Sequence, residues 1–187
     1  MWKKEFVVVK GAIPNIMCDQ LVEQYKQLPA GNATVGSDER VDKKIRSSKI
    51  RWIHDSAEHE AIFNLVWRYA RRANKEFGFH IDTCDSLQFS EYDAKTKGKY
   101  ESHVDTFFIN DKTTHRKISM VVQLSDPDTY EGGDFRIHNT YKKLPEHSMR
   151  GQGNIIFFPS IYYHEAMEVT KGVRYSLVGW FEGPKWK

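Results

Sequence analysis

The residues best equipped for chemistry in this chain lie in Tyr100-Glu-Ser-His103-Val-Asp105. In an extended segment alternate side chains share a face, so His103 and Asp105 are expected to point the same way. An imidazole and a carboxylate so placed can grip one cation from adjacent corners. The candidate for a third ligand is His164, in Phe157-Phe158-Pro159-Ser160-Ile161-Tyr162-Tyr163-His164. Two histidines and one carboxylate occupy one face of an octahedral ion and leave three positions open, an arrangement that suits non-haem Fe(II). A lone H-x-D is weak ground: in a chain with eight histidines, such a triplet is more often surface polarity than a ligand pair.

The segment after His164 raises the triplet above that background. It runs Glu165-Ala-Met-Glu-Val-Thr-Lys-Gly-Val-Arg174-Tyr-Ser176, with an arginine ten positions past the distal histidine. Here the sequence resembles the Fe(II)/2-oxoglutarate dioxygenases and, within them, the prolyl 4-hydroxylase-like branch of compact bacterial and phage type. Their signature is an H-x-D, a distal His and an R-x-S at this spacing. The resemblance covers about residues 5 to 184 and is clearest from Phe89 to Gly183. It implies Fe(II), 2-oxoglutarate and O2, with ascorbate as a supporting reductant. It also implies hydroxylation of an unactivated C–H bond, with release of succinate and CO2.

The roles carried over by the resemblance follow residue by residue. His103, Asp105 and His164 are the expected metal ligands. The cosubstrate's far carboxylate needs a cation, and the planar fork of arginine is its best geometric match, a task that falls to Arg174. Val173-Arg-Tyr-Ser-Leu-Val-Gly-Trp-Phe181 reads as a mostly buried strand, where an arginine wants a partner. Ser176 shares its face and can donate a hydroxyl to the same carboxylate. Tyr92, eleven residues before His103, stands near the place of a cosubstrate-binding tyrosine in the resembling enzymes, although the intervening segment is somewhat long for that pattern. Tyr100 and Trp180 match positions bordering metal and substrate, with core packing as the competing reading of Trp180. Arg46, in Arg46-Ser47-Ser48, lies where that branch places residues near the substrate. Glu131-Gly-Gly-Asp-Phe135 is a turn into a strand. His115, His138 and His147 lack the flanking strand and downstream arginine that single out His164.

Composition sets outer limits. A chain of 187 residues with 40% hydrophobic residues, including eleven Phe, nine Tyr and five Trp, is read as one globular domain over 1–187. A net charge of +3 gives no ground for a nucleic-acid partner. Cys18 and Cys84 are the two cysteines and form no C-x-x-C, which implies free thiols in a reducing compartment, with a single bridge as the alternative. No apolar run approaches membrane-spanning length, and the N-terminus lacks a signal-peptide core, so a soluble, cytoplasmic protein is expected.

The elements that must position the site follow from periodicity. A first strand is expected at residues 5 to 9, then a helix capped by Asn15 with Met17, Leu21, Tyr25 and Leu28 on one face. Residues 30–48 read as a polar loop, either plain surface or a lid over a substrate. A strand over Lys49–Ile53 precedes a second helix with a capping box at Asp55 and Glu58 and a stop at Gly78. Short strands then follow at 86–92, 117–124, 134–138, 154–158, 164–169 and 173–181. Two helices followed by many short strands imply an α+β fold with the helices packed on one side of a rolled β-sandwich. The resemblance implies the same thing as a double-stranded β-helix of jelly-roll or cupin type, with N-terminal helices on one sheet.

For the substrate, a peptidyl proline of a peptide or protein is the first reading. A free amino acid, another side chain or a nucleobase is the second. A non-catalytic binding module on the same scaffold is the third.

Overall fold

The computed structural model describes residues 3–34, 41–108, 113–141 and 149–186. From the N-terminus the elements are β1 (Val7–Val9), α1 (Asn15–Lys26), β2 (Gly31–Asn32), β3 (Arg46–Ser47), β4 (Lys49–His54) and α2 (Glu60–Phe77). Next come β5 (Ser86–Asp93), β6 (Lys99–His103), β7 (Thr114–Gln123), β8 (Glu131–Gly132) and β9 (Phe135–Ile137). The last four strands are β10 (Ile155–Pro159), β11 (His164–Ala166), β12 (Val169–Lys171) and β13 (Val173–Pro184).

A major sheet has the order β1-β10-β7-β13-β5-β4-β2, and a minor sheet has the order β3-β6-β11-β9. A two-stranded ribbon, β12-β8, joins them. Strand alternation decides the layers. Ile118, Met120 and Val122 of β7, with Leu177 and Phe181 of β13, pack against Val66, Ala70, Ala73 and Phe77 of α2. Tyr25 of α1 meets Phe89 of β5 edge-on at 5.9 Å between ring centroids. On the opposite face, Val121, Ile156 and Phe158 of the major sheet pack against Phe135 and Ile137 of the minor sheet. Helices therefore cover one face of the major sheet and the minor sheet covers the other, the rolled α+β sandwich expected. No helix among the described residues is long and apolar enough to cross a membrane. Both cysteines are buried free thiols.

Several local expectations change. The buried stripe of α1 is Cys18, Val22 and Tyr25, while Met17 is 37% exposed. Both stripes have helical period and share Tyr25, and the packing against the sheet selects between them. Asp55 does not cap α2: its N–H donates to the Asp85 carbonyl beside β5, which keeps it with the strands. The helix begins after His59 with no side-chain cap, and it ends at Gly78 in the left-handed conformation (φ 73°). The expected strand 164–169 divides in two, because β11 belongs to the minor sheet and β12 pairs with β8. The ends of the 30–48 segment are strands rather than loop, and Arg46 and Ser47 are buried against β6. Residues 35–40 of the expected lid lie outside the described residues.

Candidate metal and cosubstrate site

His103 ends β6 and His164 begins β11, and the two are directly paired across the antiparallel register. Cross-strand partners hold their side chains side by side, and the imidazole centroids are 4.2 Å apart. The Nδ1 of His103 lies 2.8 Å from the Glu101 carbonyl, and that of His164 lies 3.0 Å from the Tyr162 carbonyl. A carbonyl only accepts, so each Nδ1 donates to it and Nε2 is the ring nitrogen left to face the cluster. Both Nε2 atoms face Asp105: His103 is 3.6 Å from Oδ1, and His164 is 3.3 Å from Oδ2.

Asp105 reaches this position differently from the expected strand alternation. β6 stops at His103, so Asp105 lies past the strand end. Its N–H donates to the Ser160 carbonyl at 2.9 Å, and its Oδ2 accepts from the Ser119 hydroxyl at 2.6 Å. Among the described residues, His103, Asp105 and His164 form a three-residue group whose ligand atoms lie within 4.8 Å of one another. Burial, reinforced by the neighbouring His164, pushes the His103 imidazole down to about 4. Burial would raise the Asp105 carboxyl, but the charge and hydrogen bond of His164 overcome it and hold the group well below the usual carboxylate range. At neutral pH the set therefore offers a neutral imidazole at His103 and an ionised carboxylate, the forms that bind a metal.

The second half of the site lies deeper on β13. Arg174, Ser176, Val178, Trp180 and Glu182 alternate along the strand and line one cavity of about 330 Å³, together with the histidines and Asp105. Arg174 is 2% exposed and sits directly opposite Tyr92 in the β13–β5 register. Its guanidinium is 5.3 Å from the Tyr92 ring centroid. Its Nη2 donates to Gln123 Oε1 at 2.9 Å, while its buried Nε has no partner. A buried guanidinium with no carboxylate beside it among the described residues is costly, and an anion in the cavity would relieve it. The donor set and this unpaired cation thus fit a metal and a cosubstrate carboxylate.

The remaining expected residues sit around the same cavity. Tyr100 stacks on His103 with centroids 3.5 Å apart, and Arg46 lies 4.3 Å over the Tyr100 ring. Arg46 is anchored by donating to the Thr34 carbonyl and to Ser48 Oγ. Trp180 is capped by Arg116 at 3.9 Å and approaches Trp52 at 6.0 Å. His138 instead lies 3.4 Å from Glu165, and His115 Nδ1 accepts from the Trp186 N–H. His147 lies outside the described residues. The turn at Gly132 and Gly133 has φ of 70° and 66°, the left-handed region that favours glycine. A Cβ on Gly133 would press on Val169 and Arg174, so this turn also seats the arginine.

Sequence reasoning missed Ser119, Gln123, Ser160, Arg116 and Trp52. A signal did exist for two of them. Ser119 and Gln123 stand in phase on the otherwise apolar Ile118-Ser-Met-Val-Val-Gln-Leu124, which marks a polar stripe on one face.

Comparison with known proteins agrees with this geometry. A family model described as the 2OG-Fe(II) oxygenase superfamily matches residues 87–182. A PKHD-type hydroxylase of Idiomarina loihiensis is 37% identical over 175 residues, covering 93% of this chain and 72% of the relative. A Pseudomonas putida prolyl-4-hydroxylase superposes with a TM-score of 0.70 at 20% identity, covering 98% of this chain and 94% of that one. A Trichoplax adhaerens prolyl hydroxylase, solved with a peptide fragment of the hypoxia inducible factor oxygen degradation domain, gives 0.72 at 19% identity, covering 95% and 83%. At such identities these structures establish the shared fold, a double-stranded β-helix.

Proposed function

This chain belongs to the 2OG-Fe(II) oxygenase superfamily, and from that premise we propose that it hydroxylates a peptidyl proline, with 2-oxoglutarate as cosubstrate. The observation that carries the reading is the pairing, in one cavity, of the His103-Asp105-His164 cluster with a buried arginine whose Nε lacks a partner. His103, Asp105 and His164 would hold Fe(II). Arg174 would bind the far carboxylate of 2-oxoglutarate, with Ser176 and Tyr92 beside it. Bound iron supplies oxidation: O2 and 2-oxoglutarate become succinate and CO2 as one oxygen atom enters the substrate C–H bond. The protein's own part would be to turn Nε2 of each imidazole toward the metal, offset the charge of the cosubstrate carboxylate with Arg174 and keep water from the cavity.

The mouth favours a peptide with an apolar ring. Trp52 and Phe107 are 43% and 41% exposed there, and Trp180 and Tyr100 flank them along the wall. Flat aromatic faces suit the pyrrolidine ring of proline, and Arg46 stands ready to hold a main-chain carbonyl. The resemblance to hydroxylases named for proline supports the same choice. Purified protein given Fe(II), 2-oxoglutarate and an array of proline-containing peptides should yield products 16 Da heavier, with one succinate per hydroxylation. Succinate formation coupled to free amino acids, with every peptide unmodified, would overturn the peptidyl assignment.

A further inference from the structure

Ser119 and Ser160, both fully buried, form a hydrogen-bonded chain that ends on Asp105. Ser119 Oγ is 2.6 Å from Asp105 Oδ2 and 2.9 Å from Ser160 Oγ. An ionised carboxylate only accepts, so the single Ser119 proton points to Asp105, and Ser160 must donate to Ser119. Proton direction is thus set along the whole chain, and each bond polarises the next. Ser160 grips Asp105 a second time, through the carbonyl that accepts the Asp105 N–H. Because Asp105 lies beyond the end of β6, the pleat does not orient its carboxylate. The two serines do.

We propose that the Ser160–Ser119 relay is a positioning device that occupies one oxygen of Asp105 and reserves the other, Oδ1, for the metal. This rests on the metal-site reading above and adds to it a role for residues that touch neither metal nor substrate. The consequence is functional. A carboxylate free to offer both oxygens would take a further coordination position. Three are needed for the two donor atoms of 2-oxoglutarate and for O2. Ser119 therefore protects cosubstrate binding as well as metal affinity.

The test compares wild type with Ser119→Ala, Ser119→Thr and Ser160→Ala, using Mn(II) as the metal probe and 2-oxoglutarate titrated without oxygen. Loss of an outer hydrogen-bond partner usually weakens a metal site by roughly 10–100-fold. Ser119→Ala should show a metal affinity altered on that scale and 2-oxoglutarate binding weakened at least about tenfold. Ser119→Thr, which keeps the hydroxyl, should recover most of both. Ser160→Ala should fall between, and it reads the relay even if Ser119→Ala folds poorly. Unchanged Mn(II) and 2-oxoglutarate affinities in a folded Ser119→Ala or Ser160→Ala protein would overturn the proposal. A wild type that binds neither probe would instead overturn the metal-site reading, so the two failures are distinguishable.

Discussion

Arg174 and Tyr92 face each other across the β13–β5 register, the guanidinium 5.3 Å from the phenol ring centroid, and both line the cavity that His103, Asp105 and His164 also line. Among the described residues, Arg174 is the one arginine with a buried Nε that has no hydrogen-bond partner, and it lines the same cavity as the two histidines.

Arg174→Ala should therefore act on the cosubstrate first. Removing one partner of a buried charged pair costs about 3–5 kcal/mol, or roughly two to four orders of magnitude in affinity. Isothermal titration of 2-oxoglutarate into the metal-loaded variant measures it directly. An affinity equal to wild type would assign the carboxylate to another residue.

His103→Ala and Asp105→Ala should abolish metal-dependent turnover and leave far-UV circular dichroism unchanged. Their loss of metal affinity should exceed the roughly 10–100-fold typical of an outer partner. Full turnover in either variant would remove that residue from the ligand set.

Acid should weaken the metal-free protein through His103. Its folded value of about 4 lies below the ordinary 6.5, because burial disfavours the charged ring. Between those values the unfolded chain takes up a proton that the native state refuses, so stability present above pH 6.5 is lost as pH falls towards 4. The contribution is at most about 3 kcal/mol. Urea unfolding at pH 7 and pH 5 should show a smaller pH-dependent loss in His103→Gln than in wild type. Equal losses would show that the imidazole does not carry the effect.

Gly133→Ala links the fold to the site. An added Cβ would stand 2.8 Å from Val169 Cγ2 and 3.2 Å from Arg174 Cδ, at a φ of +66°. Displacement of the arginine should raise the 2-oxoglutarate requirement more than it lowers metal affinity. Separate titrations of the two ligands would reveal the difference, and a metal-only defect would contradict it.

Phe157→Ala serves as a core reference at a residue that packs on the helix-facing side and does not line the cavity. The residue is fully buried in the helix-facing core, where such truncations cost about 3–5 kcal/mol. Thermal unfolding should fall by roughly 10 °C, and a shift of a degree or two would mean that the core collapses around the gap.

The family resemblance, carried by residue type and spacing, singled out His103, Asp105, His164 and Arg174 in the sequence, and the structure brings all four to one cavity. Strand alternation likewise anticipated that Ser176 shares the face of Arg174 on β13, and both line the cavity. It failed at Asp105, where β6 ends early and the Ser160 turn takes over. Ser119 and Gln123 were overlooked although they stand in phase on one face of β7, because what each binds is known only once the strands are paired. The start of α2 was misplaced because Asp55 looks like a cap in isolation, whereas its N–H is already bound to Asp85.

The most direct measurement is the absorption spectrum of the purified protein under anaerobic conditions, with Fe(II) alone and then with 2-oxoglutarate. The arrangement of His103, Asp105, His164 and Arg174 predicts a visible metal-to-ligand charge-transfer band that requires both additions and disappears in His103→Ala. A folded, iron-loaded protein that gives no such band would contradict the site.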